Sequence, residues 1–198
     1  MLEKIIVDAD FCLKLGGSEK YRFLFEVLPL ISCEIYMHRH AFGEVRYPAS
    51  AKKKLSDLIS IGKVKIVDQS ILSSADKAIY DMSLKALERV MINPLKPSKN
   101  KGEVCSLAYA KATRIPIFAT DEAHLQPIID SQLNTGIDNI TCLRIRNVVE
   151  MIRDGMINLP RKYAKALWRI AYNNEEITNA NDIFDREIWP LEKYSCER

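Results

Sequence analysis

The sequence predicts an α/β fold with a mainly parallel sheet of about four or five strands, extended at its C-terminal side by helices. Three observations carry that prediction. Ile5-Ile6-Val7 is a run of β-branched residues without polar alternation, which suits a strand buried on both faces. It stops on Asp8-Ala9-Asp10, and a second apolar run, Ile115 to Ala119, stops in the same way on Thr120-Asp121-Glu122. Between the two, amphipathic helical patterns alternate with short apolar runs, the order expected of parallel strands joined by helical crossovers.

After the first strand, Phe11 to Leu15 begins a helix that Gly16-Gly17-Ser18 interrupts, and Glu19 to Leu30 resumes helical spacing at Phe23, Val27 and Leu30 or Ile31, giving a helical hairpin. Cys33 to Met37 reads as a short extended segment. A helix follows with Ala41, Phe42 and Val45 inward and Glu44 on another face, closed by Pro48. Ala51 to Ile61 is amphipathic, burying Leu55, Leu58 and Ile59 and leaving Lys52, Lys53 and Lys54 solvated, with Gly62 as its stop. Val64 to Val67 has strand composition. Ser74 to Met91 predicts a long helix whose inner face carries Ala78, Ile79, Met82, Ala86, Leu87 and Val90.

Two prolines, a glycine and three lysines mark residues 93–102 as an exposed loop. Glu103 to Thr113 is then a helix rich in small residues, with Val104, Leu107, Ala108 and Ala112 inward. The strand Ile115 to Ala119 comes next, and Asn139 to Leu143 supplies another after turn-rich residues 134–138. Beyond Arg146 the character changes. Val148 to Met156 looks helical, Pro160 suits the first turn of a helix through Tyr172, and residues 173–198 are polar. The division expected is residues 1–146 as the α/β domain and 147–198 as a helical extension, in which Trp168 and Trp189 are packing residues.

Composition excludes more than it identifies. A chain of 198 residues can bury around 70% of its unfolded surface without disulfides. Cys12, Cys33, Cys105, Cys142 and Cys196 are odd in number and contain no C-x-x-C pair, which fits a reducing cytoplasm better than a disulfide framework or a zinc ribbon. Acids at Glu3 and Asp8 break any signal-peptide pattern, and no apolar run reaches membrane-spanning length, so a cytoplasmic protein without a membrane partner is expected. Net charge of +3 makes no case for nucleic acid, which would need a local basic surface.

The acids have ordinary readings as well as functional ones. Asp8 suits a helix N-cap, yet a strand-end acid in an open α/β sheet also borders the usual ligand crevice. Glu44 alone reads as a solvated side chain. Asn100 with Glu103 matches a capping box, and Glu103 complements a helix dipole, but it can equally point into the crevice. His38, His40 and His124 lack zinc-helix spacing, and packing or surface roles suit them better.

In the order Val7-Asp8-Ala9-Asp10, Phe42-Gly43-Glu44-Val45, Gly102-Glu103-Val104-Cys105-Ser106-Leu107-Ala108 and Ile117-Phe118-Ala119-Thr120-Asp121-Glu122, the chain resembles the PIN-domain nucleases from about Ile5 to Leu143. The resemblance implies a three-layer sandwich on a parallel sheet, with Asp8, Glu44, Glu103 and Asp121 as metal-binding catalytic acids. Thr120 matches a hydroxyl that commonly precedes the last acid, Glu122 a further acid, and Asp10 a position that is usually polar. It also implies RNA as substrate, and many members are toxin halves of toxin-antitoxin pairs. A homodimer and a protein inhibitor or antitoxin are the partners that follow from it.

Charge repulsion supports a metal separately. Carboxylates within about 4 to 6 Å of one another repel by a few kcal/mol per pair at an effective dielectric near 20, so such a cluster protonates or binds cations. Oxygen-only ligands suit Mg²⁺ or Mn²⁺, and such ions promote phosphodiester hydrolysis. Lys99, Lys101, Arg39 and Arg46 are candidates to grip substrate phosphates, against the plainer reading of solvated cations. Two other classes stay open. One is an Asp-x-Asp phosphatase with Asp8 as nucleophile and Asp10 as general acid, although Phe11-Cys12-Leu13 lacks the Gly and Thr usual there. The other is a catalytically silent scaffold for RNA or protein.

Overall fold

The structure, a computed structural model, describes residues 1–172 and 177–190. It divides into two compact units, Leu2–Arg144 and, together with Met1, the chain from Ile145. In the first, five parallel strands stand in the order β3-β2-β1-β4-β5, namely β1 Leu2–Val7, β2 Ser32–His38, β3 Lys65–Val67, β4 Ile117–Ala119 and β5 Thr141–Leu143. The α/β class and parallel sheet expected from the sequence are what the chain adopts. Chain order runs outward from β1 to β3, then returns to place β4 on β1's other side. The gap between β1 and β4 is thus the switch point where α/β sheets open a crevice.

Eight helices belong to this unit, α1 Ala9–Gly16, α2 Phe23–Glu26, α3 Leu28–Ile31, α4 Arg39–Glu44, α5 Ala49–Ser60, α6 Ser74–Met91, α7 Lys101–Thr113 and α8 Leu125–Gln132. Ile6 packs into the cluster formed with α6, α7 and α8, and its neighbours Ile5 and Val7 face the other way; all three are fully buried. That is why the run reads as continuous apolar sequence.

Several elements depart from expectation for local reasons. The single helix arm expected over Glu19 to Leu30 is two short turns, because Pro29 has no N–H to continue a helix and starts α3 instead. In α6 the inward stripe is Tyr80 and Leu87, both buried, with Leu84 and Met91 half-buried beside them, while Ile79, Met82 and Val90 are exposed. Both stripes have helical spacing, but Tyr80 can stack on His38 and so selects the face that turns inward. Lys52 and Lys54 are not simply solvated: Lys52 Nζ donates to the Phe42 carbonyl at 2.5 Å, and Lys54 Nζ donates to the carbonyls of Gly16 at 3.0 Å and Ser18 at 2.8 Å, satisfying the end of α1. Helix α8, absent from the sequence reading, buries only Leu125 and Ile129, too short a pattern to stand out beside Pro127.

The second unit contains α9 Ile145–Arg153, α10 Arg161–Ala171 and α11 Ile177–Ile183, followed by a π-helical turn at Phe184–Ile188. Trp168 is buried and donates its indole N–H to the Ala180 carbonyl at 2.8 Å. Tyr172 lies 4.2 Å from the Trp168 ring, and Phe184 packs against both Trp168 and Trp189. Asp185 accepts from Arg161 and, at 2.6 Å, from Lys165. Part of the polar stretch over residues 173–198 lies outside the described residues. Among the described residues no helix is long and apolar enough to cross a membrane.

Candidate functional site

Parallel pairing of β1 with β4 brings two strand ends side by side. Val7 is in register with Ala119, and the Asp8 N–H donates to the Ala119 carbonyl at 2.9 Å. Asp8, Thr120 and Asp121 therefore meet at the switch point although more than a hundred residues separate them. Asp8 occupies the N-cap position of α1, yet its side chain caps nothing. Only 1% of the residue is exposed, and both carboxylate oxygens are buried without a hydrogen-bond partner. Burial and then the charge of Glu103 hold its carboxyl well above the usual carboxylate range against the nearby Ala9 N–H, with Asp10 and Glu44 adding smaller contributions.

Glu103 enters from the first turn of α7. It has no reciprocal partner in Asn100, whose backbone is left-handed at φ 62° and whose amide donates to the Met91 carbonyl at 3.1 Å, so the capping box is not made. Glu103 keeps Oε2 buried and unpartnered, and its carboxyl is raised chiefly by burial, with Glu44, Glu122 and Asp10 adding to the effect against its own N–H. The capping role falls to Glu44, which accepts the Gly102 N–H at 2.9 Å. Burial raises the Glu44 carboxyl, opposed by that N–H and by His40 and Arg46. Gly102 is required there: a Cβ would lie 3.0 Å from Ala41 Cα and overlap the Glu44 carboxylate.

Asp121 has a different environment. Lys14 Nζ donates to its Oδ2 at 2.6 Å and lies 3.4 Å from Asp10 Oδ2. Arg144 Nε stands 3.6 Å from Oδ1 and the same guanidinium donates to the Asp121 carbonyl at 3.2 Å. Thr120 is fully buried, and its hydroxyl accepts the Glu122 N–H at 3.3 Å, which shapes the turn leaving β4. Asp8, Glu44, Glu103 and Asp10 thus crowd like charge together, and Asp10 and Asp121 in addition carry the Lys14 cation. Lys14 and Arg144 were not singled out in the sequence. Lys14 had a signal, since an acid four residues before a lysine on a helix marks an ion pair.

The candidate phosphate cations have different partners. Arg39 Nε is engaged at 2.8 Å with Asp68, and Arg46 Nε reaches the Gly43 carbonyl at 3.4 Å. Lys101 is exposed in the first turn of α7. Lys99 borders a cleft of about 270 Å³ that Glu103, Glu122 and His124 also line, with Met91 and Leu125 among its apolar walls.

Among the described residues, no three or more His, Cys, Asp or Glu side chains are arranged to hold one metal ion. What fits a cation is a pair. Asp8 and Glu103 offer buried, unpartnered anionic oxygens, and Mg²⁺ commonly takes one or two carboxylates and completes its shell with water and substrate phosphate.

Fold and site together define an α/β protein with an acidic crevice at its sheet's switch point. No family model matches the chain, and no curated protein matches it. A crystal structure of VapBC2 from Rickettsia felis bound to a DNA fragment from their promoter is similar over 71% of this chain and 98% of that one, at 13% identity and a TM-score of 0.44. That similarity is too low to speak for an activity or a partner.

Proposed function

We propose that the chain is a divalent-metal-dependent nuclease that hydrolyses phosphodiester bonds, with RNA as its substrate on the strength of the PIN-domain resemblance. The observation that carries this reading is Asp8, whose two unpartnered oxygens are buried beside Glu103 at the β1–β4 switch point. A buried carboxylate without a partner is strongly unfavourable unless it is protonated or bound to a cation. Asp8 and Glu103 would hold Mg²⁺ or Mn²⁺. When bound, the ion lowers the pKa of an attacking water and neutralises charge on the phosphate.

The remaining residues hold the acids and the substrate in place. Glu44 fixes the first turn of α7 and so the origin of the Glu103 side chain. Thr120 sets the turn that carries Asp121 and Glu122. Lys99 and His124, which line the cleft beside Glu103, would meet phosphate and ribose, and Met91 and Leu125 would offer apolar contact to a base. A cytoplasmic location, and an inhibitor protein or a second copy as partner, accompany the nuclease reading.

The test is cleavage of labelled single-stranded RNA with Mn²⁺. Asp8→Asn and Glu103→Gln should each lower the rate by on the order of a hundredfold or more. Cleavage that persists undiminished in purified Asp8→Asn would remove the assignment.

A further inference from the structure

The acids at the crevice differ in what balances their charge. Asp8 and Glu103 have no cation against their buried oxygens, whereas Asp121 and Asp10 share the Lys14 ammonium at 2.6 and 3.4 Å. Asp10 and Lys14 stand one turn apart on α1, so the helix that begins at Asp8 delivers both an acid and a cation to the same edge. The Asp121 side chain is only 5% exposed and that of Lys14 28%, which makes this a partly buried ion pair and not a fully solvated one. Arg144 approaches its other oxygen at 3.6 Å.

We propose that Lys14 is a resident cation of the site, holding beside Asp10 and Asp121 the place of a second divalent ion, so that the chain binds one Mg²⁺ or Mn²⁺ and not two. This rests on the metal-dependent reading of Asp8 and Glu103. A tethered ammonium already neutralises Asp121 and repels a second ion from that carboxylate, while the Asp8–Glu103 pair lies outside its ion pairs. Lys14 acts through Asp121 and is therefore a positioning residue.

Counting Mn²⁺ bound to the full-length chain, by the loss of the free-ion electron paramagnetic resonance signal, tests this without reference to activity. Wild type and Lys14→Arg should each bind one ion. Lys14→Met should bind two, the second more weakly, and should show a larger rise in melting temperature on addition of Mn²⁺ than wild type does. Should Lys14→Met fail to melt cooperatively, Lys14→Gln makes the same comparison with a neutral donor retained. Two ions in wild type, or one in a folded Lys14→Met or Lys14→Gln, overturns the inference and leaves the nuclease reading standing. No ion bound by any of these proteins overturns both.

Discussion

Glu44 Oε1 accepts the Gly102 N–H at 2.9 Å across 58 residues of sequence, closing the open end of α7 with a side chain from α4. Glu44→Gln keeps an acceptor and should change stability little. Glu44→Ala removes the cap and should lower stability by about 1 kcal/mol. Gly102→Ala should be the worst of the three, by roughly 1–3 kcal/mol, because the new methyl displaces the Glu44 carboxylate or the α4 backbone at Ala41. Urea unfolding of the three variants gives the ranking, and a neutral Gly102→Ala would show that the two helices do not approach as closely as described.

Asp8 should make the metal-free protein less stable as pH rises. Its folded-state pKa is raised, so the folded form holds the proton more tightly than the unfolded form. The penalty is absent below the unfolded value of about 3.9, grows above it, and is complete once pH exceeds the folded value. Asp8→Asn should therefore melt above wild type at pH 7.5, and the gap should narrow toward pH 4. Saturating Mn²⁺ should narrow it at pH 7.5 by stabilising wild type alone. A gap that does not vary with pH would place the Asp8 effect in packing.

His38 should produce the opposite trend. The ring is fully buried, accepts the His40 N–H on Nδ1 at 3.2 Å, stacks on His40 and Tyr80, and meets Tyr109 edge-on. Burial, with His40 and Arg39 adding to it and Asp68 opposing, lowers its pKa to about 4. The folded state thus prefers the neutral ring, and the stability this provides is present above about pH 6.5 and is lost as pH falls toward 4. His38→Phe should remove on the order of 1–3 kcal/mol of acid sensitivity in that window. Chemical-shift titration should find the His38 ring neutral at pH 5, and a His38 that titrates near 6.5 would show the ring to be solvated.

In the helical unit, Trp168→Phe should lower stability by about 1–2 kcal/mol, because the Ala180 carbonyl loses its buried donor. Trp168→Ala should cost more, about 3–5 kcal/mol, by adding a cavity next to Phe184 and Tyr172. Thermal melts that show equal losses would mean the indole N–H contributes nothing.

What was legible in the sequence was what short-range pattern encodes. Two uninterrupted apolar runs ending on acids are enough to put Asp8 and Asp121 at one edge of the sheet, since a parallel sheet aligns the carboxyl ends of its strands; that the two strands are neighbours comes from the fold. The balance of charge around them was not legible. Glu44 is a cap for a helix 58 residues away, and Asp121 has Lys14 at a separation of 107, relations that no local spacing announces. The inward face of α6 is not legible because two apolar stripes one residue apart both satisfy a helical period, and the His38 ring that stacks on Tyr80 comes from another element.

The strand order also imposes a schedule on folding. β1 can pair with β2 as soon as residue 38 has been made, but its other edge must wait for Ile117–Ala119. During synthesis the Ile5–Val7 segment therefore carries an open hydrogen-bonding edge, a template for association with other chains. Closing it late demands a long loop search, which places this topology among the slower small folds and makes chaperone protection of the nascent chain most valuable before β4 emerges.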